Sequence, residues 1–443
     1  TSRLEHEGLS FLTITLPSLG SDLERGLSRG WLEPTEFRSF RKSGRIPAFL
    51  QGIFARVFEQ TTGRICNEPC ISSIEGLRQL AYTFKKLKVD CTESRVQKAL
   101  DGYMQCERDL ESPISSSDLA KFREVATCLW GRVIRYDLLD DAVPRHGPGA
   151  TCEKISGNAK FLHKRWHERL ERYFPFLEYA YNIRAYDSEE FKQVSLVSPS
   201  DESPVRVITV PKTLKGPRII AIEPVCMQYV QQAISKALVK RLESHWLTSG
   251  HVNFTNQGIN QRHAIESSKS GALATLDLSS ASDRVPRELA LDMFRHVPHI
   301  ADAIDACRST TAELPTGEVI HLRKFASMGS ALCFPVESMY FYTVCVLALL
   351  ETRGLPVTSR NVYNVSRSVY VYGDDIVVPA DAAVVVMEAL ARYYCKVNTN
   401  KSFWTGKFRE SCGVDAYDGE VVTPTYLRHL APHRKQSSDA LIS

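Results

Sequence analysis

The sequence predicts an α+β fold, and three observations carry that prediction. Apolar residues recur at spacings of three and four over 39–58, 74–88, 116–136 and 227–246, the period of helices with one buried face. Segments 205–222 and 368–379 instead alternate β-branched and aromatic residues around Gly, Pro and Asp turn chemistry, as antiparallel hairpins do. Between them, 334–350 is nearly unbroken in its apolar character, with Glu337 its one charged residue, and reads as a core helix.

The 443 residues suffice for two or three domain-sized units or one multi-lobed enzyme. A hydrophobic share of 43% with 24% charged residues excludes a disordered chain as the default. The net charge of +4 permits a nucleic-acid partner without demanding one, so any basic footprint has to be local. The cysteines lack Cys-x-x-Cys spacing; Cys66 and Cys70 come nearest and no second pair follows, so free thiols in a reducing cytosol are expected rather than zinc. No signal peptide opens the sequence and no uncharged run reaches spanning length, so a cytoplasmic protein with no membrane partner is expected. Thr1 in the place of Met and the end at Ser443 suggest a processed, partial or trimmed chain.

In order along the chain, the first 141 residues read as helices without a functional signature. Pro144 to Gly149 is a Pro/Gly loop, either a domain linker or a loop that approaches a polyanion closely, and His163, Lys164, Arg165 and His167 add positive charge after it. A strand over 205–210, a turn over 211–218 and a second strand over 219–222 form a hairpin whose turn carries Lys212, Lys215 and Arg218. Such a tip is either merely solvated or supplies cations to a triphosphate. A polar loop is expected over 251–265. The strand over 272–276 then delivers Asp277 to the rim of a sheet, and Ser282 or Asp283 is placed to cap the helix that follows. Ser327 and Gly329 lie in a Ser/Gly loop before the apolar helix, and Asp381 is the expected N-cap of a helix over 381–394. Residues 397–403 and 408–413 return to strand and turn.

The hairpin at 368–379 puts Asp374 and Asp375 side by side at its turn. Like charges so close repel, and one is pushed toward protonation unless solvent screens the pair or a cation sits between them. A metal is the natural resolution.

Several strings in this order, Val210-Pro211-Lys212, Ala221-Ile222-Glu223-Pro224, Ile259 to Arg262, Thr275 to Ser279, Tyr372-Gly373-Asp374-Asp375 and Phe408 to Gly413, resemble the replicase subunit of small positive-strand RNA bacteriophages of the Qbeta type. The resemblance covers about 205–430. It implies a right-hand polymerase: a palm with an antiparallel sheet backed by helices, fingers, and a short or truncated thumb. Residues 1–150 would contribute helices to the fingers, 151–225 fingers with the basic hairpin, 226–420 the palm with fingers insertions near 251–270 and 290–325, and 421–443 the start of the thumb.

The implied reaction is RNA-templated RNA synthesis, with two Mg²⁺ (Mn²⁺ being compatible) about 4 Å apart. Asp277 and Asp374 would be the main metal ligands, with Asp375 in support and the Leu278 carbonyl as a further oxygen. Lys212, Lys215 and Arg218 would meet the nucleotide phosphates, with Arg218 the better bidentate partner. Asp283 would read the ribose 2′-hydroxyl, Ser327 and Gly329 would flank the nascent base pair, and Lys401 would act as general acid toward pyrophosphate. Glu410 to Gly413 resembles the strand that grips the primer end. Cys333 and Glu337 stand where the wider polymerase pattern has Thr and Asn, so those sugar-reading bonds do not carry over. Implied partners are template and nascent RNA, nucleoside triphosphates, host elongation factors Tu and Ts and a ribosomal protein, in the cytoplasm of an infected bacterium. Two alternatives stay open: a reverse transcriptase, against which Asp283 argues, and a catalytically silent RNA-binding subunit.

Overall fold

The structure, a computed structural model, describes residues 2–140, 142–180 and 194–428. Its first half is helical, with α1 (Leu16–Arg29), α2 (Ile71–Tyr82), α3 (Glu93–Asp109) and α4 (Ser116–Val133). A hairpin of β1 (Val205–Thr213) and β2 (Gly216–Ile222) leads into α5 (Val225–Ser244), α6 (Gly258–Ser270) and β3 (Leu273–Leu276). Then come β4 (Thr311–Glu313), β5 (Val319–His321), α7 (Cys333–Thr352), the hairpin β6 (Tyr370–Tyr372) and β7 (Asp375–Pro379), and α8 (Ala383–Arg392). Strands β8 (Phe408–Ser411), β9 (Val414–Tyr417) and β10 (Glu420–Val421) follow.

The central sheet is antiparallel in the order β6-β7-β3, with Ile376 paired to Leu276. This register brings the end of β3 beside the start of β7. A second antiparallel sheet runs β8-β9-β10, and a third is ordered β2-β1-β4-β5, in which β1 and β4 are parallel.

Helix α7 anchors the main core because it is apolar all round, and such a helix is stable only when covered on every side. Long and apolar enough to cross a membrane, it is instead 94% buried within the protein. Its few polar groups are satisfied internally: Trp130 Nε1 of α4 donates to Thr343 Oγ1 at 2.9 Å, and Tyr340 OH donates to the Tyr393 carbonyl at 2.6 Å. A second core joins α1 and α2 to the β8-β9-β10 sheet through Leu23, Leu27, Phe403, Phe408 and Tyr417. Arg78, 1% exposed, locks that joint by pairing with Glu24, with Asp415 at 2.6 Å and with the Val422 carbonyl at 2.9 Å.

Several expectations change. The helix expected over 39–58 is broken: Lys42–Ser43 pairs with Ile46–Pro47 around Gly44, and only Gln51–Phe54 is helical. Gly44 sits at φ +65° with the Gln60 carbonyl where a Cβ would be, so a tight turn wins over the apolar period. The turn expected over 211–218 shrinks to Leu214 and Lys215, because β1 continues through Pro211 past an irregularity between Val210 and Thr213. Instead of a loop over 251–265, α6 begins at Gly258, its polar side chains bonded to the sheets it covers. Asp381 caps nothing: it lies in a 3₁₀ turn, and Ala382 precedes α8. The basic character read into His163 and His167 also fails, since burial pushes both down to about 4 and leaves them neutral at pH 7. The Pro/Gly loop wraps the buried Lys160, which donates to the Gly147 carbonyl at 2.8 Å and to that of Gly149. All twelve cysteines are free thiols. Of the expected thumb segment, 429–443 lies outside the described residues.

Candidate active site

Three carboxylates meet at one end of the central sheet. Asp277 follows β3 directly, and Asp374 and Asp375 span the turn and first residue of β7. The turn is held from behind by α7. Gly373, at φ +61°, donates its N–H to Ser338 Oγ at 3.2 Å, and a Cβ there would lie 2.1 Å from the Phe334 ring. Only glycine allows so close a seat.

Each carboxylate has its own surroundings. Asp277 is fixed by the segment before β8: its Oδ2 accepts from Asn398 Nδ2 at 2.7 Å, its N–H donates to Ser402 Oγ at 3.1 Å, and its Oδ1 lies 3.6 Å from Lys401 Nζ. Asp375 turns toward β8, where its Oδ1 accepts from the Cys412 N–H at 3.1 Å and from Ser411 Oγ at 3.3 Å, while Asn260 of α6 donates to its carbonyl at 3.1 Å. Asp374 is exposed to solvent although protein packs around its carboxyl. Partial burial, then the charge of Asp277, raises its carboxyl above the usual aspartate range. Burial raises Asp375 to about 6, opposed by the Cys412 N–H and reinforced by the other two aspartates.

Oxygen-only donors held this close suit a hard divalent cation. The carbonyls of extended backbone alternate in direction. The Asp277 carbonyl accepts from the Asn398 N–H at 2.8 Å, so that of Leu278 is directed away from this neighbour. No set of three or more His, Cys, Asp or Glu side chains closes around one point among the described residues. With Asp375 bonded to Ser411 and Cys412, the side-chain oxygens left to meet such a cation are those of Asp277 and Asp374.

Cations face these acids. Lys401 lies between Asp277 and Glu410, 3.6 and 3.8 Å away; burial alone would lower its ammonium, and the two carboxylates outweigh it and raise it. Lys212 on β1 reaches solvent although protein packs around it; that partial desolvation lowers it, then repulsion from Arg218 and Lys401, against the pull of Asp374 and Asp277. Arg218 pairs across the hairpin with Val210. Lys215, in the two-residue turn, is exposed and has no contact with the carboxylates among the described residues. The structure thus brings Lys212 within the field of Asp277 and Asp374, sets Arg218 beside Lys212, and leaves Lys215 at the tip.

Asp283 does not cap a helix. It lies in the 3₁₀ turn Ser282–Arg284, paired with Lys324 at 3.0 Å. Ser327 is buried with its Oγ 3.0 Å from the Tyr103 OH, and Gly329 packs on β2, where the Ala221 N–H donates to the Met328 carbonyl at 2.9 Å. Glu337 accepts from Cys333 Sγ at 3.6 Å; burial, then the charge of Asp374, pushes it well above the glutamate range. Sequence reasoning missed Asn398, Ser402 and Lys324, although the polar run around Lys401 already held the first two.

The family model for RNA replicase, beta-chain, matches residues 177–435, more than half of the sequence. The chain belongs to this family. Among curated relatives, the RNA-directed RNA polymerase subunit beta of Qbeta virus (strain MX1) is 33% identical over 302 residues, covering 66% of this chain and 47% of that protein. The subunit from Escherichia virus Qbeta is 36% identical over 255 residues, covering 57% and 39%. The beta chain of Escherichia phage MS2 is 35% identical over 222 residues, covering 50% and 37%. The chain therefore spans about half the length of these relatives or less. A solved RNA-dependent RNA polymerase from bacteriophage phi12 overlaps 95% of this chain and 67% of its own, at TM-score 0.45 and 10% identity. The fold is α+β, with the acid-bearing antiparallel sheet backed by α6 and α7, and α8 packed on α7.

Proposed function

We propose that this chain carries the catalytic centre of an RNA-directed RNA polymerase. It would add nucleoside triphosphates to an RNA 3′ end as an RNA template directs, releasing pyrophosphate, in the cytoplasm of an infected bacterium. The observation that carries the reading is the juxtaposition of Asp277 and Asp374 at neighbouring strand ends, faced by Lys401 and Lys212. Membership of the replicase family supports it.

In this reading Asp277, Asp374 and the Leu278 carbonyl would hold two Mg²⁺, or Mn²⁺, and Asp375 would brace the turn. When bound, such ions activate the 3′-hydroxyl and neutralise charge on the triphosphate. The protein's own groups do the rest. Asn398 and Ser402 fix Asp277, and α7 fixes Asp374 through the Gly373 seat. Lys212 and Arg218 orient the phosphates and stabilise the charge that develops on them, with Lys215 reaching from the tip to the outer phosphate or to RNA. Lys401, kept protonated by Glu410 and Asp277, is the proton donor to leaving pyrophosphate. The Asp283 carboxylate reads the ribose 2′-hydroxyl, and the Ser327 to Gly329 loop lies against the nascent pair. Host elongation factors Tu and Ts and a ribosomal protein belong to the same proposal as partner subunits.

The test is extension of a primed RNA with labelled ribonucleotides and Mg²⁺, with and without host factors, beside Asp374→Asn. Template-dependent extension that the variant loses is expected. RNA binding without extension under every condition overturns the reading, and extension only on deoxynucleotides would make the chain a reverse transcriptase.

A further inference from the structure

Lys324 is 0% exposed and lies outside the cluster of Asp277, Asp374 and Asp375. Its ammonium meets three groups. Asp283 Oδ1 is at 3.0 Å, Glu107 Oε1 on α3 at 3.2 Å, and the Tyr103 ring centroid, also on α3, at 3.3 Å. Tyr103 and Glu107 are four residues apart and so share a helix face. The backbone is fastened at the same place. Lys324 bridges Pro286, the Phe325 N–H donates to the Val285 carbonyl at 2.8 Å, and the Arg323 N–H donates to Glu107 Oε2 at 2.7 Å. Next to Asp283, Arg284 pairs with Asp109 of α3 at 2.7 Å. The Tyr103 OH then reaches Ser327 Oγ at 3.0 Å. One buried ammonium thus ties together α3, the carboxylate after β3 and the loop before α7.

A buried lysine is costly unless paired. Here burial alone would lower it, and Asp283, Tyr103 and Glu107 outweigh that and raise it, so it stays charged. The hydrogen bond from Lys324 occupies Asp283 Oδ1, and no bond ends on Oδ2 among the described residues. A carboxylate carries no proton to give, so its open oxygen can only accept.

We infer that Lys324 is a positioning residue for sugar recognition: it aims Asp283 so that its open oxygen accepts a hydrogen bond from the 2′-substituent of the incoming nucleotide. The inference rests on the polymerase reading and on Asp283 facing the ribose. It says in addition that the 2′-group must be a donor, and that the ammonium sets this requirement from outside the substrate site.

The experiment measures nucleotide affinity on the RNA-loaded full chain, with a 3′-deoxy primer end so that no turnover is needed. Ribonucleotide, 2′-deoxy, 2′-amino and 2′-fluoro forms are compared for wild type, Lys324→Met and Asp283→Asn, with thermal unfolding followed in parallel. In wild type the donors, hydroxyl and amino, should bind about 10- to 100-fold tighter than deoxy and fluoro, the worth of a hydrogen bond to a charged group. Lys324→Met should flatten that ratio as Asp283→Asn does, whereas a purely structural lysine would weaken all four nucleotides alike. If Asp283→Asn flattens the ratio and a folded Lys324→Met does not, the inference falls and the reading of Asp283 stands. If wild type binds all four alike, or Asp283→Asn leaves the ratio intact, the reading of Asp283 fails and takes the inference with it. Should Lys324→Met not fold, Lys324→Gln takes its place under the same criteria, and fluoro equal to amino in wild type overturns the inference.

Discussion

Replacing Gly329 by alanine should unseat the loop that carries Ser327. Gly329 holds φ +131°, and a Cβ there would lie 1.9 Å from the Ala221 carbonyl oxygen of β2. Backbone strain of this kind costs about 1–3 kcal/mol in a residue with a side chain. The clash is with backbone, so it is relieved only if the loop lifts, which gives up the bond from the Ala221 N–H to the Met328 carbonyl, worth about 1 kcal/mol net. The sum is about 2–4 kcal/mol. Gly216 begins the same strand β2, and a Cβ there would meet nothing within 4 Å, so Gly216→Ala is the control, expected to stay within about 0.5 kcal/mol. Urea unfolding gives the difference in stability, and hydrogen exchange at the Ala221 amide reports whether the loop has lifted. Equal midpoints for the two variants, with Ala221 still protected, would refute the reasoning.

Other perturbations test the frame around the site. Arg78→Met leaves Glu24 and Asp415 buried without their cation and should cost about 3–5 kcal/mol in unfolding experiments, whereas Lys407→Met, which breaks an exposed pair with Asp418, should cost less than about 1 kcal/mol. His163 is 4% exposed, neither ring nitrogen has a hydrogen bond among the described residues, and burial pushes it from 6.5 to about 4. Its contribution is whole above pH 6.5. It is lost as pH falls from 6.5 to 4, because the unfolded chain takes up the proton that the folded one refuses, and it amounts to about 3 kcal/mol. His163→Phe should therefore flatten the acid limb of the melting temperature against pH; parallel limbs for both proteins would exclude this origin.

What the sequence made legible was local chemistry. Turn residues announced both hairpins, and strands of four or five residues fixed where Asp277 and Asp375 sit, because a short strand leaves little freedom in register. What it hid depends on packing. Helix α6 looks like a loop because its polar residues face the protein: Asn260, 0% exposed, bonds the Asp375 carbonyl, and Gln261 bonds that of Cys412 at 2.9 Å. Lys212, Lys215 and Arg218 look equivalent along the chain, but the irregularity after Val210 sets which of them share a face. Lys324 is invisible for the same reason, since a lysine reads as surface until its two carboxylates arrive from residues 107 and 283.

The balance of each cation then separates support from chemistry. Lys324 is neutralised inside the protein by two carboxylates and a ring, so its charge is spent on geometry and has nothing left to offer a substrate. Lys401 is shared between Asp277 and Glu410 while its side chain stays 43% exposed, which suits a group that can turn from one acceptor to another. Lys212 and Arg218 repel each other and form no ion pair among the described residues, so bringing a polyanion between them relieves the repulsion and attracts both. Asp374 shows the mirror image: raised by burial and by Asp277, it gains from any cation that approaches through its open side. On the proposed reading, a triphosphate with its divalent cations would offer Lys212 and Arg218 on one side and Asp374 on the other the opposite charge, and would do so only when the two arrive together.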